Sequence, residues 1–412
     1  MERLRQVVKD ERTLWVVCGA LLCVAVALRS HQIEVPAEYS FDERHFVNNA
    51  RRYLLARPDQ NDHPPLGKLL IALSMYLFGD NAVGWRVPSL LAGWANIGLA
   101  FALGARLFRS RVAGLLAATL VGIDGFFLVY SRTALMDGVL VAAMYTSALG
   151  SVIAWQERRV WPLVVGATFA GLAASIKFSG VVFVVPLVIA VGWRWRLWPV
   201  LALAPLAYAG VMAGALLRSG LPPDVVDNSL RLLGIHLGKA EGSNKWLSAW
   251  YEWFVPTRPI VLRYRRARGV VTAMNAIGNL AMWWASALLM LRGAAALLRA
   301  PVERVLGKQT PDQGFYGEHR AAVAWLCLLW LLPIAPWMVS GRDPYLYHYL
   351  PSYGFALILL GGGLMWLFRT HVWRAWAVLT GFVVVSAVFL PVWIELPIRR
   401  ATWEWLQWVP AP

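Results

Sequence analysis

FDERHFVNNARRYLLARPDQNDHPPLGK, residues 41–68, is the longest polar interval in the first half of an otherwise apolar chain, and that contrast decides how the sequence is read. The stretch holds two adjacent acids, two histidines, five Lys or Arg residues and a Pro-Pro pair. Around it, 412 residues are 58% hydrophobic and 15% charged, far from the composition of a soluble domain. Apolar runs of about twenty residues, enough to cross roughly 30 Å of hydrocarbon as helix, recur along the chain. The sequence therefore describes an all-α polytopic membrane protein. Ionisable groups crowded into one loop of such a protein mark a functional site.

Alternating Lys/Arg content sets the expected topology. Arg3, Arg5, Lys9 and Arg12 precede a first apolar run ending near Leu28. No convincing small-residue cleavage site precedes His31, so this run is expected to be a retained helix. The interval from about 30 to 82 is then external, and the basic turns at Arg106, Arg109 and Arg111 and at Arg158 and Arg159 are cytoplasmic. Spans are expected at about 83–105, from there out to Ser131, 138–156, 161–176, 178–192, 197–216, 270–291, 321–339, 345–368 and 373–394. With the first run they number about eleven. A second external interval, about 217–269, contains KWLSAWYEWF (245–254), whose aromatics at 246, 250, 253 and 254 fit a helix lying on the membrane surface. A polar cytoplasmic insert occupies about 292–320. No repeat or low-complexity linker divides residues 1–412, which read as one membrane domain.

The net charge of +16 does not indicate nucleic acid, because the basic residues are scattered among apolar segments. Topology and anionic membrane lipids account for it better, and the 23 tryptophans also point to a membrane, since indole rings concentrate at its interfaces. Cys18, Cys23 and Cys327 lie in apolar runs with no metal-ligand or disulfide spacing.

Within the opening stretch, Phe46, Ala50, Tyr53 and Leu54 form one apolar stripe, which predicts an amphipathic helix over 43–57. Two readings stand for the acids that open it. Ser40 and Glu43 match a capping box, with Asp42 favouring the helix dipole. Alternatively, a carboxylate fixed at the membrane surface is a general base for an acceptor hydroxyl. Capping accounts for Glu43 but does not require Asp42, so Asp42 is the stronger catalytic candidate. In Asp62-His63-Pro64-Pro65-Leu66-Gly67-Lys68, the prolines forbid helix before the apolar run 66–78. His63 and Lys68 therefore stand at a rigid re-entry point, suited either to a lipid phosphate or to a snorkelling lysine. Arg132 and Asp137 sit where two spans meet and either bind a phosphate or pair with each other. Lys177 and the segment Arg342, His348 and Tyr349 raise the same question. All of these regions fall on the expected external face.

Taken together, FDERHF, NDHPPLGKLLIAL, SRTALMDG, KFSG and RDPYLYHYLPSY resemble the protein O-mannosyltransferase family, within the polyprenyl-phosphate-dependent membrane glycosyltransferases of GT-C type. The order matches over nearly the whole chain. The resemblance implies a multispan fold with a long first external loop and a donor sugar linked to polyprenyl phosphate. It also implies that Asp42 is the catalytic aspartate, Glu43 its neighbouring acid, and Arg132 an arginine needed for activity. His63 stands where related aminoarabinose transferases carry a phosphate-binding lysine. Eukaryotic members carry a three-repeat β-trefoil domain in the second long external loop. Here that interval is only about fifty residues, which favours a bacterial-type enzyme in the plasma membrane. The implied reaction transfers a hexose, mannose by resemblance, to a protein Ser/Thr hydroxyl with inversion. A lipid or cell-envelope glycan acceptor is the alternative, and a transporter of lipid-linked sugar a more distant one. No cofactor is expected and the acids are too dispersed for a bound metal. The sequence leaves the oligomeric state open.

Overall fold

The computed structural model describes residues 2–59, 62–238, 246–305, 314–340 and 344–407. Eleven helices fill the first part: α1 Glu2–Ser30, α2 Glu43–Leu54, α3 Leu66–Phe78, α4 Ala82–Phe108, α5 Arg111–Ile123, α6 Gly125–Tyr130, α7 Asp137–Glu157, α8 Trp161–Ile176, α9 Val184–Val191, α10 Leu203–Arg218 and α11 Val225–Leu237. Strands β1 Ile260–Ala267 and β2 Val270–Ala276 follow, then α12 Leu280–Val305, α13 Phe315–Glu318, α14 Arg320–Leu331, α15 Ala335–Val339, α16 Leu350–Thr370 and α17 Val372–Trp393. Strand β3 Ile398–Arg399 and α18 Arg400–Leu406 close the described chain. Among the described residues, seven helices are long and apolar enough to cross a membrane, and five more apolar helices are shorter.

The physical reasons for the breaks are local. The prolines before Leu66 start α3 where the sequence places it, and Gly79 with a φ of 88° ends it. The expected span from 111 to 130 is two helices, because Asp124 leaves the helical conformation and caps the second. Its carboxylate accepts from the amides of Phe126 and Phe127. The other oxygen accepts from the Asn279 amide and the Tyr353 hydroxyl, tying the break to α16 and the start of α12.

The core lies where α16, almost wholly buried, runs between α5, α7, α12 and α14. Close approach is secured by small residues. A Cβ on Gly150 of α7 would sit 2.5 Å from the Pro162 carbonyl and 2.8 Å from Gly166 of α8, so these helices meet backbone to backbone.

Two elements depart from the sequence reading. Residues 270–276, expected as the start of a span, form β2, antiparallel to β1 with Arg263 opposite Met274 and Arg265 opposite Thr272. Strand β3 extends the sheet through Val270–Arg399 and Val271–Ile398. The chain leaves the sheet at Gly278 and Asn279, and Asn279 Oδ1 accepts from the Met282 amide to start α12. In the aromatic run 245–254, Trp250–Phe254 is a short 3-10 turn with Trp253 buried, so it packs inward rather than forming the expected surface helix.

Candidate active site

Helix α2 presents its two opening acids to different surroundings. The Glu43 carboxylate is fully buried and saturated. It accepts from Arg86 Nε at 2.9 Å and Nη2 at 3.1 Å, from the Ala134 amide at 2.7 Å and from the Ser40 amide at 2.7 Å. Arg86, on α4, donates its remaining hydrogens to the carbonyls of Ile33, Pro36 and Glu38. Half of the expected capping box is therefore present: Glu43 reaches back to the Ser40 amide, while Ser40 Oγ has no partner. The rest of the Glu43 carboxylate binds the first loop to α4 and to the segment after α6.

Asp42 is placed by this pin and takes no part in it. It is only partly buried and makes no capping hydrogen bond. The preceding Phe41 has a φ of 49°, a left-handed conformation that costs a non-glycine residue energy and recurs at functional sites. Burial pushes the Asp42 carboxyl above its ordinary value; the charges of His45 and Lys177 pull against this, and Asp137 adds to it.

Lys177 and Asp137 lie within electrostatic reach of that carboxylate. Asp137 opens α7 and accepts from Lys177 Nζ at 2.7 Å, both side chains being buried. Lys177 stands at the extended break after α8, and its ammonium lies 4.7 Å from the centroid of the Tyr347 ring. Tyr130, at the end of α6, lies 6.4 Å from Tyr347 and has a buried hydroxyl without a hydrogen-bond partner. The sequence reading passed over both: Tyr347 stands within RDPYLYHYLPSY, and Tyr130 immediately precedes SRTALMDG.

The remaining candidates are distributed as follows. His348 packs 4.0 Å from Trp337 and 4.4 Å from Tyr347, measured between ring centroids. Tyr349 lies in the core instead, accepting from Trp330 Nε1 at 3.1 Å and packing on Trp283. Arg342 lies outside the described residues. His63 stacks on His236 at 5.2 Å. Burial holds its imidazole well below the usual range, and the charges of Lys177, His236, Lys68 and His348 act in the same direction. Lys68, fully buried, is ion-paired with Asp59 and donates to the His63 carbonyl at 2.6 Å. Asp59 also accepts from the Tyr53 hydroxyl at 2.9 Å. Beside this group opens a cavity of about 240 Å³, lined by Tyr53, Asp59 and His63 on one side and Met212, Leu216 and Arg231 on the other.

Arg132 does not pair with Asp137, which Lys177 already holds. Its Nη1 donates to the carbonyls of Leu28 at 2.5 Å and His31 at 2.7 Å, where a guanidinium complements the negative end of the α1 dipole. It borders a second cavity, of about 440 Å³. Among the described residues, no group of three or more His, Cys, Asp and Glu side chains is placed to hold a metal.

The arrangement combines an ionisable carboxylate, held by its neighbour's salt bridge, with a buried ammonium and an aromatic wall. It suits proton abstraction next to a group that departs with negative charge.

Comparison with known proteins bears on what that group is. The chain spans about two-fifths of the curated bacterial relatives it matches. The polyprenol-phosphate-mannose–protein mannosyltransferase of Mycobacterium tuberculosis is 29% identical over 204 residues, 41% of this chain and 39% of that protein. Protein O-mannosyl-transferase 2 of Drosophila melanogaster is 28% identical over 200 residues, 42% of this chain and 26% of that protein. The S. cerevisiae protein O-mannosyltransferase Pmt1-Pmt2 complex bound to the sugar donor superposes with a TM-score of 0.78 at 13% identity, covering 97% of this chain and 92% of the other. ArnT from Cupriavidus metallidurans bound to undecaprenyl phosphate gives 0.58 at 17% identity, covering 92% and 65%. These likenesses establish the GT-C membrane fold. Sequence models described as dolichyl-phosphate-mannose-protein mannosyltransferase match residues 19–86 and 62–219, and one described as the C-terminal four-transmembrane region of protein-O-mannosyltransferase matches 230–411. The chain belongs to the protein O-mannosyltransferase family.

Proposed function

We propose that this protein transfers a hexose, mannose by family, from a polyprenyl-phosphate donor to a Ser or Thr hydroxyl of a protein acceptor, with inversion at the anomeric carbon. The observation that carries this reading is the division of labour between the two acids. Glu43 is consumed by Arg86 and backbone amides, whereas Asp42 makes no capping hydrogen bond and lies within electrostatic reach of Lys177.

The Asp42 carboxylate takes the proton of the acceptor hydroxyl as its oxygen attacks the anomeric carbon. The bond from that carbon to the phosphate oxygen breaks on the opposite face, and its electron pair leaves with polyprenyl phosphate. One displacement inverts the centre and needs no second carboxylate as nucleophile. Lys177 offsets the charge that accumulates on the departing phosphate. The cavity beside His63 and Arg231, with Met212 and Leu216 on its far wall, suits the start of an isoprenoid chain joined to a phosphate. His348 and Tyr347 supply ring faces for the sugar. The reaction so written calls on no metal, so chelation should leave transfer unchanged. The proposed site lies on the external face, which the Lys/Arg asymmetry of the loops supports, and the short second external interval supports a bacterial plasma membrane.

The deciding experiment is transfer in vitro from defined polyprenyl-phosphate hexoses to peptide and, separately, to lipid acceptors, comparing wild type with Asp42→Asn. Full activity of a correctly folded Asp42→Asn protein would remove Asp42 as base. Transfer to lipid but not peptide would reassign the acceptor.

A further inference from the structure

We infer that the larger cavity, floored by one face of the β-hairpin, is a subsite for an acidic side chain of the acceptor polypeptide, close in sequence to the hydroxyl that is modified. This rests on the proposed reading that the acceptor is a polypeptide.

The sheet register builds the floor. Arg263 opposes Met274 and Arg265 opposes Thr272, so these four side chains share one face of the hairpin, and all four line the 440 Å³ cavity. Its size falls within the roughly 300–1,000 Å³ of ordinary ligand pockets. Segments 35–38 and 394–397 form the walls, and Arg132 borders it.

The charges in the cavity are unequal and incompletely paired. Three arginines, 132, 263 and 265, face two glutamates, 38 and 395. Glu38 is taken by Arg265 at 2.5 Å. Arg263 reaches Glu38 and Glu395 only at 3.6 Å each, too far for a hydrogen bond. Arg263 Nη1, Arg132 Nε and Glu395 Oε1 are buried without a hydrogen-bond partner. Leaving such groups unmatched is costly, and an incoming carboxylate would satisfy the guanidinium of Arg263 in the fork geometry that arginine offers. Burial pushes the Glu395 carboxyl up, with Arg263, Arg86 and Arg132 pulling against it.

Position favours a polypeptide over a lipid phosphate. The lining is sheet and loop rather than membrane-spanning helix, and it carries three arginines and two glutamates. Glu38 on the rim is four residues from Asp42, at most roughly 14 Å along an extended chain. An extended acceptor could therefore place its hydroxyl at Asp42 and an acidic residue within about four positions of it in the cavity.

The test uses the full chain in nanodiscs and fluorescent Ser/Thr peptides that are neutral or carry one Asp or one Lys at each position up to four residues from the hydroxyl. Peptide affinity and hexose transfer are measured separately. An Asp at one offset should bind about tenfold more tightly than the neutral peptide, ~1.4 kcal/mol. Arg263→Met should abolish that ratio, and Arg263→Glu should invert it in favour of Lys, a reversal that mere loss of folding would not produce. Arg265→Met gives an independent variant of the same face. Equal affinity for Asp and neutral peptides would overturn the inference. So would an Arg263→Met protein whose only change is weaker binding of short-chain polyprenyl phosphate. Acidic preference without transfer would retain the subsite and sink the proposed reaction. Transfer without acidic preference would do the reverse.

Discussion

Asp42 and Glu43 are adjacent and chemically similar, yet the structure gives them different surroundings, and the proposed function gives them different tasks that measurement will separate. Asp42→Asn should lower transfer by about 10²–10⁴, the usual worth of a general base, with an unchanged melting temperature. Glu43→Gln should instead unfold more easily, because breaking a buried ion pair typically costs about 3–5 kcal/mol; thermal melting reads this directly. A base must be ionised, so transfer should fall as pH drops through the Asp42 pKa. Burial raises that pKa, which puts the acid limb above the ordinary aspartate value of about 3.9. Lys177 opposes the rise, so Lys177→Met should move the limb to still higher pH as well as slowing transfer, which a pH-rate profile will show. The sequence placed Asp42 above Glu43 by asking which acid a capping box could spare. It could not reveal the partner of Arg132, because the carbonyls of Leu28 and His31 lie some hundred residues away. Tyr130 and Tyr347 escaped for a similar reason: a tyrosine in an apolar chain reads as packing until its neighbours are known, here an ammonium over the Tyr347 ring and Tyr347 itself beside Tyr130.

At the scale of elements, local punctuation was readable and tertiary override was not. Pro64 and Pro65 fixed the start of α3 in advance. In contrast, VVTAMNAIGNLAMWW looks like one continuous span, since β2 and the start of α12 are both apolar and only Ile277, Gly278 and Asn279 separate them. Its strand character follows from pairing with β1, whose ARG tip turns with Arg268 and Gly269 at positive φ. The meeting of α7 and α8 offers a stringent test of packing. Gly150→Ala would drive a Cβ into the Pro162 carbonyl, which belongs to backbone and cannot swing aside. Overpacking of this kind costs about 1–3 kcal/mol, visible as a lowered melting temperature with Asp42 chemistry untouched in the surviving folded fraction.

For the whole molecule, the pattern of basic residues makes the orientation testable. With Cys18, Cys23 and Cys327 replaced, single cysteines at Arg266 in the hairpin and Arg111 at the start of α5, both exposed, should respond oppositely to an impermeant thiol reagent applied to intact cells. Labelling is expected at position 266 and protection at 111; the reverse would place the site on the other face. That the chain is a helical, polytopic membrane protein was legible from composition, because lipid leaves few alternatives to the helix. How its distant parts close around one site was not, since no short-range pattern encodes contacts between remote segments. That closure has a consequence for biosynthesis. Glu38 is matched by Arg265, Lys177 is covered by Tyr347, and β2 is completed only by Ile398 and Arg399. A ribosome delivers these partners more than a hundred residues apart, so the first loop emerges long before anything exists to hold its later neighbours in register. Chains interrupted after α17 should insert all their long apolar helices and still lack a finished wall, leaving membrane targeting and maturation of the site as separable events in the life of one polypeptide.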